Sequence, residues 1–142
     1  MDLKGSKIIL TGGSSGLGKQ TAKDLILKGA ELIITGRDKD KLTKVALELG
    51  CVAFHADVSI EEEAKATVDF AKERWGRLDV LINNAGLPPR DGLEEAILRV
   101  NYFGLKAFMD GLLDKLGNGA SIINTASRAG AQWRENLEEV KA

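Results

Sequence analysis

Residues 11 to 18 read Thr11-Gly12-Gly13-Ser14-Ser15-Gly16-Leu17-Gly18. A loop so poor in side chains can turn its main-chain N–H groups toward a single anion. A helix beginning at its far end adds more N–H groups and a positive dipole end. Glycine is required where a Cβ would block the tight turn or the approach of a pyrophosphate. Two motifs share these residues. Gly13 to Gln20 nearly fits the P-loop pattern G-x-x-x-x-G-K-[ST], but Gln20 stands where a hydroxyl must bind Mg²⁺. The pattern T-G-x-x-x-G-x-G fits at every position, with Thr11, Gly12, Gly16 and Gly18 as its fixed residues. Ser14, Ser15 and Leu17 fill the loop between them, and the chemistry is then dinucleotide binding. For the loop taken alone, a glycine turn without ligand stays open as a third reading.

Arg37 stands 19 residues after Gly18, directly behind an apolar run and Gly36. An acidic residue at that place would bond the ribose 2′-hydroxyl and select NAD. A guanidinium matches a phosphate bidentately instead, which favours NADP. Asp38 keeps NAD open, since a shift of register would bring its carboxylate to the same place. His55 is the sole histidine and has no Cys or His at ligand spacing, so no metal site is expected. It reads as a half-buried strand histidine. Cys51 is the sole cysteine; no internal disulfide is possible, and it reads as an inert packed thiol at a strand start.

These residues need positioning, and the patterning supplies the elements. Lys7–Leu10 reads as a buried strand and Gly16–Lys28 as a helix, stopped by Gly29. A second strand covers Glu31–Thr35. A second helix covers Lys39–Leu49, with Leu42, Val45, Ala46 and Leu49 at helical spacing and Gly50 as its stop. Val52–Ala56 is the third strand. Ser59 and Glu62 form a capping box for a helix running to Trp75, with Ile60, Ala64, Val68, Ala71 and Trp75 on one face. Val80–Asn83 is the fourth strand. One long helix is predicted over Leu93–Leu116 with Leu93, Ile97, Val100, Gly104, Ala107, Phe108 and Gly111 inward. Ser121–Thr125 is the fifth strand, and a last helix starts over Arg134–Lys141.

Alternating strands and helices predict an α/β fold, a doubly wound parallel sheet with right-handed crossovers and strand order 3-2-1-4-5. Ligands of such sheets sit at the carboxyl ends of the strands. There stand the glycine loop, Arg37, Asp57, Asn84-Ala85-Gly86 and Ser127, one group behind each strand. The fifth strand forms an apolar edge with Ile122 and Ile123, and such edges template association. A homo-oligomer is therefore expected.

The chain has 142 residues with 20 basic and 21 acidic side chains, a net charge of −1. That balance gives no basic surface for nucleic acid or an anionic membrane. No apolar stretch approaches the ~20 residues of a membrane span, and no signal peptide is apparent, so a cytoplasmic protein is expected.

Taken together, the motifs resemble those of short-chain dehydrogenase/reductases. The resemblance rests on Thr11-Gly12-x-x-x-Gly16-x-Gly18, Asp57-Val58, Asn83-Asn84-Ala85-Gly86, Asn101 within Val100–Gly104, and Ser127 within Ile123–Gly130. It implies that Asp57 and Val58 meet the adenine ring and that Asn84, Ala85 and Gly86 line the cofactor cleft. It implies that Asn101 helps hold a proton-relay water and that Ser127 bonds the substrate oxygen, where a donor stabilises developing alkoxide charge. The short gap from Gly86 to Asn101 and the acidic stretch Glu135–Lys141 are similar to the 3α-hydroxysteroid dehydrogenase/carbonyl reductase branch, whose members carry a helical insertion there.

The family's catalytic tyrosine, with a lysine four residues later, should follow the serine. No tyrosine follows Ser127. Tyr102 and Lys106 repeat that spacing and would share a helix face, but they precede the serine strand and directly follow Asn101. Tyr102 therefore reads as a tyrosine at a helix or subunit contact. The expectation is one NAD(P)-binding domain over 1–142, ending within an insertion, with the C-terminal part of the fold missing. The implied activity is NADP(H)-dependent hydride transfer between the nicotinamide and a small-molecule carbonyl or secondary alcohol, with these 142 residues alone inactive. The alternative is a non-catalytic dinucleotide-binding or assembly module ending at Ala142.

Overall fold

Five short apolar runs pair edge to edge in a computed structural model of the chain, which describes residues 3–113, 116 and 119–127. They are β1 (Lys7–Leu10), β2 (Glu31–Gly36), β3 (Val52–His55), β4 (Val80–Asn83) and β5 (Ser121–Asn124). All pairs are parallel, with Ile8 opposite Leu32 and Val80, Ile33 opposite Val52, and Leu81 opposite Ile122. The order β3-β2-β1-β4-β5 is the predicted one. Parallel neighbours require crossovers, which are supplied by α1 (Gly16–Leu27), α2 (Lys39–Leu49), α3 (Glu61–Trp75), α4 (Glu94–Leu98) and α5 (Leu105–Leu113).

Alternation along each strand sends side chains to opposite faces. Ile8, Leu10, Leu32, Ile34 and Val80 pack with Ala22 of α1 and Leu42, Val45 and Ala46 of α2. Ile9, Ile33 and Leu81 pack with Ala64, Val68 and Ala71 of α3 and Phe108 and Leu112 of α5. The sheet is thus covered on both faces, and its strand ends are left to build a site.

Four local expectations are corrected. The helix predicted over Leu93–Leu116 is divided into α4, a π-helical turn over Arg99–Gly104, and α5. Its widened turn lies against the loop after β3, where the Val58 carbonyl oxygen stands 2.1 Å from where a Gly104 Cβ would be. Only glycine admits that approach. At α3, Ile60 is the N-cap residue and Ser59 caps nothing. The Asp57 carboxylate takes the Ser59 N–H and hydroxyl at 2.9 and 2.7 Å, and Glu63, not Glu62, reaches back to the Asp57 N–H at 2.6 Å. Ile60, expected inward, is left exposed. His55 is exposed rather than half-buried, at the end of the edge strand β3. The helix expected over Arg134–Lys141 and the insertion lie outside the described residues. Among the described residues no helix is long and apolar enough to cross a membrane, and no cluster of metal-ligating side chains occurs.

Candidate functional site

The carboxyl ends of β1, β2, β4 and β5 and the loop behind β3 surround a cleft of about 370 Å³. The glycine loop forms its floor with Gly12, Ser14, Ser15, Leu17 and Gly18. Two positions there admit only glycine. Gly12 has φ +69°, and a Cβ on it would stand 2.9 Å from the Ala85 Cα. A Cβ on Gly18 would stand 2.1 Å from the Gly12 carbonyl oxygen and 2.6 Å from the Asn84 Nδ2. The first turn of α1 is therefore pressed against the end of β4, and Ser15, Leu17 and Gly18 at its start line the cleft.

Thr11 fastens this arrangement. Its hydroxyl accepts from the N–H groups of Asn84 and Ala85, each at 3.0 Å, and donates to the Ile82 carbonyl at 3.4 Å. The Asn84 side-chain amide donates to the Thr11 carbonyl at 3.1 Å. Loop and strand end are one hydrogen-bonded unit, which brings Asn84, Ala85 and Gly86 to the cleft wall.

At the β2 end, Thr35, Gly36 and Arg37 line the cleft. Among the described residues the Arg37 guanidinium has no ion pair. The Asp38 carboxylate accepts the Lys41 N–H at 3.0 Å and so caps α2; that bond holds it at the helix end. Ala56 and Val58 contribute the wall behind β3.

Four residues chosen from the sequence do not line the cleft. Gly16 begins α1 at φ +51°. Asp57 is engaged with Ser59 through its carboxylate. Asn101 lies in the π-helical turn and pairs with the Leu87 backbone, accepting from its N–H at 2.8 Å and donating to its carbonyl at 3.0 Å. It thereby holds the strand exit after β4 from outside. Ser127 is exposed, three residues beyond β5.

Sequence reasoning passed over Thr35, Leu87, Val100 and Thr125, which complete the wall. The usable signal was position: Thr35 and Thr125 stand at strand ends. The Thr35 hydroxyl is fully buried and has no hydrogen-bond partner among the described residues.

The P-loop reading meets a physical obstacle. Lys19 pairs with Glu48 of α2 at 2.7 Å and Gln20 bonds Asp24 along α1 at 3.1 Å, so neither extends over the loop. Tyr102 is 57% exposed, edge-on to Phe103 at 5.2 Å, while Lys106 pairs with Asp110. Neither Tyr102 nor Lys106 lines the cleft. Cys51 is partly buried beside β3, and desolvation pushes its thiol up to about 11, which disfavours the thiolate.

A family model described as short chain dehydrogenase matches residues 6–138. An uncharacterised oxidoreductase of Staphylococcus saprophyticus is 34% identical, over 91% of this chain and 57% of the relative. The structure of the Pseudomonas aeruginosa RhlG/NADP active-site complex superposes with TM-score 0.82 at 32% identity, over 91% of this chain and 57% of that one. A short chain dehydrogenase/reductase from Burkholderia phymatum in complex with NAD gives TM-score 0.85 at 26% identity, over 92% and 52%. The chain thus spans little more than half the length of these relatives. Sheet order, glycine loop and sequence match agree over the same residues, and the chain belongs to the short-chain dehydrogenase family.

Proposed function

We propose that this chain is the cofactor-binding part of an NADP(H)-dependent oxidoreductase acting on a carbonyl or secondary alcohol. The observation that carries the cofactor choice is Arg37. It lines the cleft and among the described residues has no ion pair, while the neighbouring carboxylate of Asp38 is committed to the cap of α2. A 2′-phosphate would find a guanidinium there, beside a carboxylate already bonded to the Lys41 N–H. One matched relative is in complex with NADP and another with NAD, so within the family this side chain has a choice to make.

The cleft fits a dinucleotide. Its floor is a loop that a Cβ at Gly12 or Gly18 would distort, and the N-terminus of α1 would meet an anion there. When bound, the cofactor supplies or accepts hydride at its nicotinamide ring. The protein's own part is binding and orientation. Ser14, Ser15, Leu17 and Gly18 would hold the pyrophosphate, with Gly16 turning the loop between them, and Val58, its loop tied by Asp57 to Ser59, would meet the adenine. Asn84, Ala85 and Gly86 would wall the nicotinamide side. Ser127 would donate to the substrate oxygen, and Asn101, through its grip on Leu87, would fix the backbone beside it. The activity, a homo-oligomeric state and a cytoplasmic location belong to the whole protein and are part of the same proposal.

Arg37→Asp is the test. It removes the phosphate's partner and adds repulsion, so the dissociation constant for NADPH should rise well beyond that for NADH. Equal weakening of the two overturns the NADP assignment. Binding of neither by the unaltered protein overturns the reading of the cleft.

A further inference from the structure

His55 has no part in the cofactor reading so far, yet it touches the residue on which that reading depends. It closes β3, opposite Gly36 of β2 in the parallel register. Its Nε2 lies 2.8 Å from the Arg37 carbonyl oxygen. A carbonyl only accepts, so Nε2 carries the hydrogen and donates. The bond ties the edge strand to the turn between β2 and α2. Asp38 holds the next residue of that turn by capping α2. The Arg37 backbone is thus fixed on both sides, although among the described residues its guanidinium has no ion pair to fix it. Where the backbone is held bounds the region that the guanidinium can reach.

We propose that His55 is a positioning residue that sets cofactor selectivity: it holds the Arg37 main chain so that the guanidinium is presented to the 2′-phosphate of the dinucleotide. The inference rests on the NADP reading of the cleft. Without the bond, the turn would sample more conformations, and binding the phosphate would have to order it. NADH lacks that phosphate and would not meet the cost.

The test uses the full chain with His55→Thr, a strand former too short to reach Arg37, and His55→Gln, whose amide can still donate. Dissociation constants for NADPH and NADH are measured for each, with thermal unfolding alongside. His55→Thr should weaken NADPH about fivefold, the size of one net hydrogen bond, and leave NADH within twofold. His55→Gln should retain most of the selectivity. In an Arg37→Ala background, His55→Thr should no longer alter the NADPH-to-NADH ratio. If His55→Thr does not fold, His55→Val takes its place. Equal losses for the two cofactors, an unchanged ratio with lowered thermal stability, or an undiminished effect in the Arg37→Ala background would each overturn the proposal. Failure of the underlying reading shows separately, as an unaltered protein that binds no dinucleotide or prefers NADH.

Discussion

Thr11→Val tests how the glycine loop is held to the sheet. Valine keeps the shape and deletes one oxygen. That oxygen accepts from two main-chain N–H groups, those of Asn84 and Ala85, and Thr11 is only 2% exposed. The Ile82 carbonyl keeps the Thr11 N–H at 3.0 Å, so no acceptor is stranded, but two donors are. An unsatisfied buried donor costs about 1–3 kcal/mol. Asn84 and Ala85 are only half-buried and water reaches them in part, which puts the sum near the lower end, about 2–3 kcal/mol. Domains of this kind have ~5–15 kcal/mol in all. With a urea slope of about 1–3 kcal/mol per molar, the unfolding midpoint should fall by about 1–2 M. Thr11→Ser keeps the oxygen and loses a methyl, worth about 0.8 kcal/mol. Urea unfolding followed by circular dichroism ranks the three proteins. A valine variant as stable as the unaltered protein, or more stable than the serine variant, would refute the clasp.

Other outcomes follow from the same geometry. Gly18→Ala puts a Cβ 2.1 Å from the Gly12 carbonyl oxygen, far inside the ~3.3 Å of a close C···O approach. The first turn of α1 must then shift by about 1 Å, which should weaken dinucleotide binding because the loop no longer fits the pyrophosphate; titration of NADPH fluorescence checks it, and unchanged binding would refute the cradle. Cys51 should resist alkylation at pH 8 in the folded protein and react in urea. Because its folded value of about 11 is raised, its contribution to stability is complete below pH ~8.5 and is lost as pH rises toward 11, which denaturation at pH 8, 9.5 and 11 measures.

Much of this molecule was legible because local pattern and global fold agree. Ile8-Ile9-Leu10 and Leu32-Ile33-Ile34 are too apolar for anything but a doubly covered sheet, and Lys39–Leu49 carries both its helical face and its glycine stop. The loop was legible because Gly12 and Gly18 answer a steric demand that no other residue meets. What was missed arises between elements. Nothing in Arg99–Gly104 announces a π-helical turn, which comes with the approach of Gly104 to the Val58 carbonyl, 46 positions away along the chain (104 − 58) and adjacent only in the fold. The Ser59–Glu62 spacing fitted a capping box, but Asp57 competes for the same serine. The roles of Thr11, His55 and Asn101 depend on partners remote in sequence, Ala85, Arg37 and Leu87, which no periodicity reports.

The sheet keeps its two sets of buried side chains apart. Ile8 and Leu10 face α1 and α2, while Ile9, between them in the chain, faces α3 and α5. Side chains without shared partners change nearly independently of one another. Drift that enlarges a residue of α2 can be answered by a smaller one at Ile34 or Leu32, with nothing asked of Phe108 or Val68 across the sheet. A lineage can therefore remodel the layer beneath Arg37 while the layer that carries the π-helical turn stands still, and compensating substitutions should cluster by face, not by distance along the chain.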